Sequence, residues 1–169
     1  MISNILTLIR IKDWLKNIVI FFPLIFSNNL NSYELLISVV LVFFIFSITS
    51  TCIYIVNDII DIEDDKIHKL KKFKKPLASK AISINFAYSL LIIFLLSDIV
   101  LLILNNFILY FVIAYFFINI LYSLYFKKIP YFEIILICVG YLIRLYVGSY
   151  VINVETSLIL SMSIFSLSF

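Results

Sequence analysis

Long apolar runs separated by short polar or charged clusters make up most of this chain. A helix needs about 20 mostly apolar residues to cross a bilayer, and Leu35 to Val56 supplies an uncharged run of that length, the clearest predicted span. The apolar run before it, Ile18 to Leu30, is shorter and carries Pro23. Proline kinks a helix or removes part of its hydrogen bonding, so the first span is expected to be short or broken and to start near Trp14. Ala81 to Leu104 predicts a third span, with Asp98 inside it, and Asn105-Asn106 a turn. Phe107 to Phe126 predicts a fourth, closed by Lys127, Lys128 and Pro130; Phe132 to Ile152 predicts a fifth, interrupted by Gly140, Arg144 and Gly148. Asn153 to Ser157 brings further turn signals, and the last run, Leu158 to Phe169, is too short to cross. The expected fold is all-α: a polytopic transmembrane helical bundle of five spans plus the start of a sixth, one membrane domain over residues 1–169. Because the chain stops inside an unfinished apolar run, it is expected to be the N-terminal part of a longer protein.

Composition strengthens the membrane reading. Hydrophobic residues make up 64% of the chain, charged residues 14%, and glycine only two positions; the mean hydropathy is +1.16. Such values lie far from soluble globular usage. The net charge of +3 does not imply nucleic acid as a partner, because the lysines sit in patches between apolar runs. Their positions carry more information. Arg10, Lys12 and Lys16 precede the first span, seven lysines between Lys66 and Lys80 follow the second, and Lys127-Lys128 follow the fourth. The intervening turns at Asn28 to Tyr33, Asn105-Asn106 and Asn153 to Thr156 hold no Lys or Arg. Cytoplasmic loops are enriched in these residues, so the N-terminus and the charged stretch after the second span are expected to face the cytoplasm of the inner, or cell, membrane. The charges near the N-terminus interrupt the first apolar residues instead of preceding them, which disfavours a cleaved signal.

That charged stretch is the main candidate for chemistry. Five acids fall between Asp58 and Asp65. If the second helix continues to Asp65, then at about 100° per residue Asp58, Asp61 and Asp65 lie near 0°, 300° and 340°, on one face, while Glu63 and Asp64 point elsewhere. Carboxylates so placed repel one another unless a cation sits between them. Mg²⁺ takes oxygen ligands, usually one or two carboxylates with phosphates and water, so Asp58, Asp61 and Asp65 suit a diphosphate bridged by Mg²⁺, with an amide contact from Asn57. The plain alternative is a solvated helix end, its lysines serving as a topology signal and as contacts to anionic headgroups.

Arg144 has ten uncharged residues on either side. A charge at membrane depth costs about 2.5–3.5 kcal/mol on insertion scales and normally faces a cavity or a partner, so Arg144 is expected either to bind phosphate in the cytoplasmic cavity or to form an ion pair within the bundle. Asp98 is expected to be structural or interfacial, Glu133 a solvated end or a cavity wall, and His68 a solvated loop residue. Cys52 and Cys138 lie in apolar runs without ligand-like spacing, which predicts small buried hydrophobes and neither a disulfide nor a metal role.

The segment Asn57-Asp58-Ile59-Ile60-Asp61-Ile62-Glu63-Asp64-Asp65 fits NDxxDxxxD and resembles the signature of the UbiA superfamily of intramembrane prenyltransferases. Three further matches resemble its polyprenyl-phosphate (decaprenyl-phosphate) phosphoribosyltransferase branch. Arg10, Trp14, Lys16 and Asn17 match RPxxWxKN; Asp65-Lys66-Ile67-His68 with Lys75-Pro76-Leu77-Ala78-Ser79 resembles D-[RK]-x-H…RPIASG. Tyr122-Ser123 to Lys127 resembles YSxxLK, and Gly140-Tyr141 to Arg144 resembles GFxLR. This chain departs from the branch at Ile11, Lys69, Lys75, Lys80 and Glu133, where proline, proline, arginine, glycine and aspartate are usual. The resemblance implies a UbiA-type bundle whose second acidic motif is expected beyond Phe169.

It also implies an activity: Mg²⁺-dependent transfer of a 5-phosphoribosyl group from phosphoribosyl diphosphate to polyprenyl phosphate in cell envelope biosynthesis, with diphosphate released. By resemblance, Asp58, Asp61 and Asp65 hold the metal, Asn57 stands beside them, and Lys16, Asn17, Tyr122, Lys127 and Arg144 bind substrate. Competing expectations are a UbiA-type transferase that moves a prenyl group from prenyl diphosphate to an aromatic or other small acceptor, a non-catalytic cation-binding or transport protein, and an inactive piece that needs its missing half.

Overall fold

The computed structural model describes residues 2–68, 71–125, 129 and 132–168. All regular structure among them is helical. The chain opens with α1 (Ile2–Ile9), passes through Arg10 in the left-handed region (φ 54°), and continues as a 3₁₀ helix over Ile11–Phe21 and the short α2 (Phe22–Phe26). Pro23 lies in the first turn of α2, where a missing N–H costs nothing. The expected broken first span is therefore a 3₁₀-to-α segment, with its break set ahead of the proline.

The long helices follow the apolar runs. They are α3 (Tyr33–Ile60), α6 (Ile84–Leu104), α7 (Leu109–Leu124, entered through a 3₁₀ turn over Asn106–Ile108) and α8 (Phe132–Val151). Ser83 caps α6, its hydroxyl accepting from the Phe86 N–H, which satisfies one of the free donors at a helix start. Among the described residues four helices are long and apolar enough to cross a membrane, and they correspond to the second to fifth expected spans. α9 (Leu158–Ser168) is the short final run. Between α3 and α6 lie α4 (Ile62–Ile67) and α5 (Lys71–Lys74).

α3 is the most buried of the four long helices and α6 the least. α3 packs against α1, the 3₁₀ segment, α6, α7 and α8, and α8 in turn packs against the 3₁₀ segment, α2, α7 and α9. Helices in lipid gain little from burying apolar surface and are held by close packing and hydrogen bonds. Both devices are present. Gly148 lets α8 cross directly over the Ile20 backbone, since a Cβ there would sit 3.0 Å from the Ile20 carbonyl carbon and closer still to its oxygen. Thr49 of α3 donates to the Asp98 carboxylate of α6 at 2.7 Å, both side chains buried, which gives Asp98 the structural role expected of it. Cys52 and Cys138 are buried free thiols.

Candidate functional site

A polar stripe runs down one side of α3 and on into α4. Ser47, Thr51, Tyr54, Asp58, Asp61 and Asp65 follow at spacings of three or four, so successive members share a face. The other elements dock their polar side chains onto this stripe.

The 3₁₀ segment docks first. At about three residues per turn, positions three apart eclipse one another, so Trp14 and Asn17 present together. They meet hydroxyls one turn apart on α3: the Trp14 indole donates to Thr51 Oγ1 at 3.1 Å, and Asn17 Nδ2 donates to Ser47 Oγ at 2.9 Å. Asn17 is fully buried, and its other end, Oδ1, accepts from Arg144 Nε at 2.6 Å. Asn17 therefore joins three elements and has neither polar end left for solvent.

Arg144 lies at the centre of this network. Nη1 donates to the Gly140 carbonyl at 2.8 Å and Nη2 to the Tyr115 hydroxyl at 2.6 Å. That hydroxyl lies 3.2 Å from Ser50 Oγ, which donates to the Phe46 carbonyl. Because Tyr115 already accepts from the guanidinium and Ser50 already donates to a carbonyl, the bond between them runs from Tyr115 to Ser50. The Tyr115 and Tyr141 rings also lie 4.7 Å and 5.4 Å from the guanidinium carbon. Every one of these partners is neutral. Among the described residues no carboxylate pairs with Arg144, so the ion pair within the bundle weighed from the sequence is not formed there.

The guanidinium borders a cavity of about 110 Å³ whose wall also includes Lys16, Tyr54, Tyr115, Asn119 and Tyr141. No carboxylate appears among its described lining residues. Lys16 pairs with Asp13 at 2.7 Å. A small space with two cations, an amide and phenols around it suits an anionic group.

One turn beyond Tyr54 the stripe becomes acidic. α3 ends at Ile60, Asp61 adopts φ −87°, ψ 5°, and α4 resumes at Ile62, so the helix is interrupted at the middle acid of the three. The path nevertheless stays helical, because Asp61 N–H bonds to the Asn57 carbonyl and Asp65 N–H to the Asp61 carbonyl, both at 2.9 Å. That keeps Asp58 and Asp65 side by side. Both are buried, and both converge on Lys75, whose Nζ lies 3.0 Å from Asp58 Oδ1 and 2.6 Å from Asp65 Oδ2. Arg10 Nη2 meets the same Asp58 oxygen at 2.7 Å, with its guanidinium 4.6 Å from the centre of the Tyr54 ring. Burial on its own would lower the pKa of Lys75, but its bonds to Asp65 and Asp58 outweigh this and hold it above the ordinary lysine value.

Asp61 is half-buried at the junction, and Asn57 Oδ1 accepts from Ser123 Oγ at 2.6 Å. Tyr122 is half-buried beside Ser123. His68 is exposed at the end of α4. Lys127 and the side chain of Glu133 lie outside the described residues.

Sequence reasoning passed over Arg10 and Lys75 as partners of the acids, and Tyr54, Tyr115, Asn119 and Ser123 as site residues. A signal for the last three was present: Tyr115, Asn119 and Ser123 recur every four residues in an otherwise apolar helix.

Would this arrangement accept a metal? Among the described residues no three His, Cys, Asp or Glu side chains converge as a ready-made metal cage. Asp58 and Asp65 do converge on a single cation, the Lys75 ammonium. Two carboxylates meeting one positive charge fit Mg²⁺, which completes its shell with phosphate and water.

Residues 18–169 match the model of the UbiA prenyltransferase family. The decaprenyl-phosphate phosphoribosyltransferase of Corynebacterium glutamicum is 28% identical over 154 residues, 88% of this chain and 46% of that protein. The Mycobacterium tuberculosis protein of the same name is 29% identical over 97 residues, 55% of this chain and 32% of its own length. An uncharacterized protein of Sinorhizobium fredii is 29% identical over 84 residues, 50% of this chain and 16% of its own length. The chain thus spans less than half the length of these curated relatives. With the family's model matched over most of its length, this helical chain belongs to the UbiA prenyltransferase family.

Proposed function

We propose that this chain is the N-terminal part of a single-domain, Mg²⁺-dependent intramembrane transferase that moves a 5-phosphoribosyl group from phosphoribosyl diphosphate to a polyprenyl phosphate and releases diphosphate. The observation that carries the reading is Arg144: a buried, permanently charged guanidinium with only neutral partners among the described residues, bordering a cavity that also takes in Lys16. A buried cation without an anion is costly, and a substrate phosphate offsets that cost. The names of the Corynebacterium and Mycobacterium relatives favour the phosphoribosyl branch over transfer of a prenyl group.

In this mechanism Asp58 and Asp65, with Asp61 between them in sequence, hold the cation that accompanies the donor's diphosphate. When bound, Mg²⁺ neutralises the charge that gathers on the departing diphosphate oxygens. Arg10 and Lys75 stand close enough to the acids to bind the same oxygens. Lys16 and Arg144 orient the acceptor phosphate so that one of its oxygens attacks the anomeric carbon as the bond to diphosphate breaks. Tyr54 is shared by the two regions: its ring lies against the Arg10 guanidinium, and it also lines the cavity. The lysine-rich and lysine-free turns support an active site on the cytoplasmic side of the cell membrane.

The test incubates membranes carrying the chain with radiolabelled phosphoribosyl diphosphate and polyprenyl phosphate. Mg²⁺-dependent label in the lipid fraction is the expected result. Consumption of prenyl diphosphate with an aromatic acceptor, in place of lipid labelling, would move the reading to prenyl transfer. Divalent-cation flux in liposomes without diphosphate release would reject the enzyme.

A further inference from the structure

Lys75 occupies the point where the two acids converge, and the loop holds it there firmly. A residue before proline is driven to extended backbone, and Pro76, Leu77 and Ala78 behind it are buried. Leu77 belongs to an apolar cluster with Leu8 of α1, Ile55 of α3, Ile82 just before α6 and Ala87 in its first turn. The turn is closed by the Ser79 N–H on the Lys75 carbonyl at 3.0 Å and the Ile82 N–H on the Pro76 carbonyl at 3.1 Å. The ammonium is thus positioned by packed backbone, unlike that of a free-swinging surface lysine.

Charge balance gives this placement a consequence. Among the described contacts Lys75 bridges the two buried carboxylates of Asp58 and Asp65, and Arg10 pairs with Asp58 as well. For a bare divalent cation to reach both carboxylates, Lys75 must give up its contacts with Asp58 and Asp65. Stranding one member of a buried ion pair is strongly unfavourable. Diphosphate removes the obstacle, because its oxygens accept from Lys75 and Arg10 as the carboxylates pass to the metal.

From this we infer that Lys75 is a built-in counter-cation that makes metal binding at Asp58 and Asp65 conditional on diphosphate, so that metal and donor enter together. The inference rests on the metal–diphosphate reading above. Lys75 thus has two roles in this reading: it holds the acids while the site is empty and meets the diphosphate once the donor enters.

The test measures Mn²⁺ binding by electron paramagnetic resonance to the purified chain in detergent, with and without inorganic diphosphate. Wild-type protein should bind Mn²⁺ well only when diphosphate is present. Lys75→Met should bind Mn²⁺ without diphosphate, tighter than wild type by about tenfold or more, as removal of one adjacent cation predicts. Lys75→Arg keeps the charge and should retain the dependence on diphosphate, which controls for loss of fold. Equal Mn²⁺ affinity of wild type and Lys75→Met without diphosphate would overturn the counter-cation role and leave the site reading standing. Failure of a folded wild type and Lys75→Arg to bind Mn²⁺ even with diphosphate would overturn both.

Discussion

Arg144 Nη2 donates to the Tyr115 hydroxyl at 2.6 Å while the Tyr115 ring lies 4.7 Å from the same guanidinium carbon. One tyrosine of α7 thus meets the buried cation of α8 in two ways and passes its hydroxyl proton on to Ser50 of α3. Tyr115→Phe keeps the ring and removes the relay. It leaves one guanidinium donor without its acceptor and should cost about 1–3 kcal/mol of stability, read as a lower unfolding temperature in detergent. An unchanged transition would mean that the hydroxyl contributes nothing to the junction of α3, α7 and α8.

Arg144→Leu separates ligand binding from scaffold. If the cavity beside Lys16 takes a phosphate, this substitution should raise the apparent Kd for a short-chain polyprenyl phosphate by about tenfold or more, the loss of one charge-assisted contact. It should harm stability less than Asn17→Ala, which leaves Arg144 Nε buried without its acceptor. Unaltered lipid affinity in a folded Arg144→Leu protein would return Arg144 to a purely structural role.

Asp61→Asn keeps size and polarity at the junction of α3 and α4 while removing one negative charge. In the complete protein it is expected to abolish Mg²⁺-dependent transfer and to leave expression and membrane insertion close to wild type. Normal turnover in that variant would argue against a metal role for Asp61.

Gly148→Ala should be destabilising although alanine is the better helix former. The added methyl meets the Ile20 backbone, which cannot rotate away as a side chain would, so α8 and the 3₁₀ segment must separate. Overpacking of this kind costs about 1–3 kcal/mol. Thermal unfolding of the purified variant gives the sign, and a rise in stability would show that the crossing is looser than described.

Lys75 gives the expected pH dependence. Its pKa is raised above the ordinary 10.5 in the folded protein, so the folded state holds its proton more tightly than the unfolded chain does. The stabilisation is therefore fully present below about pH 10.5 and lost as pH rises through the folded-state value. Wild type should lose more stability than Lys75→Met across that alkaline window. Parallel curves for the two proteins would contradict the ion pairs with Asp58 and Asp65.

What the chain's sequence determined by itself was the class of molecule and the address of its chemistry. Uninterrupted apolar runs have no stable alternative to helices in a bilayer, because every backbone polar group must be satisfied within the segment; hence α3, α6, α7 and α8 lie where hydropathy puts them. The proline at 23 marked a broken first span, a lone arginine among uncharged residues marked a buried cation, and acids at three- and four-residue spacing marked one face. Tertiary structure alone decided who meets whom. That Lys75, ten residues beyond Asp65, returns between two aspartates depends on Leu77 packing against α1 and α3. That Asn17 reaches Arg144, 127 positions away, depends on Gly148 admitting the 3₁₀ backbone. Local sequence encodes periodicity and cost of burial; the pairing of distant charges depends on how close the helix axes can come, which short-range patterns do not carry.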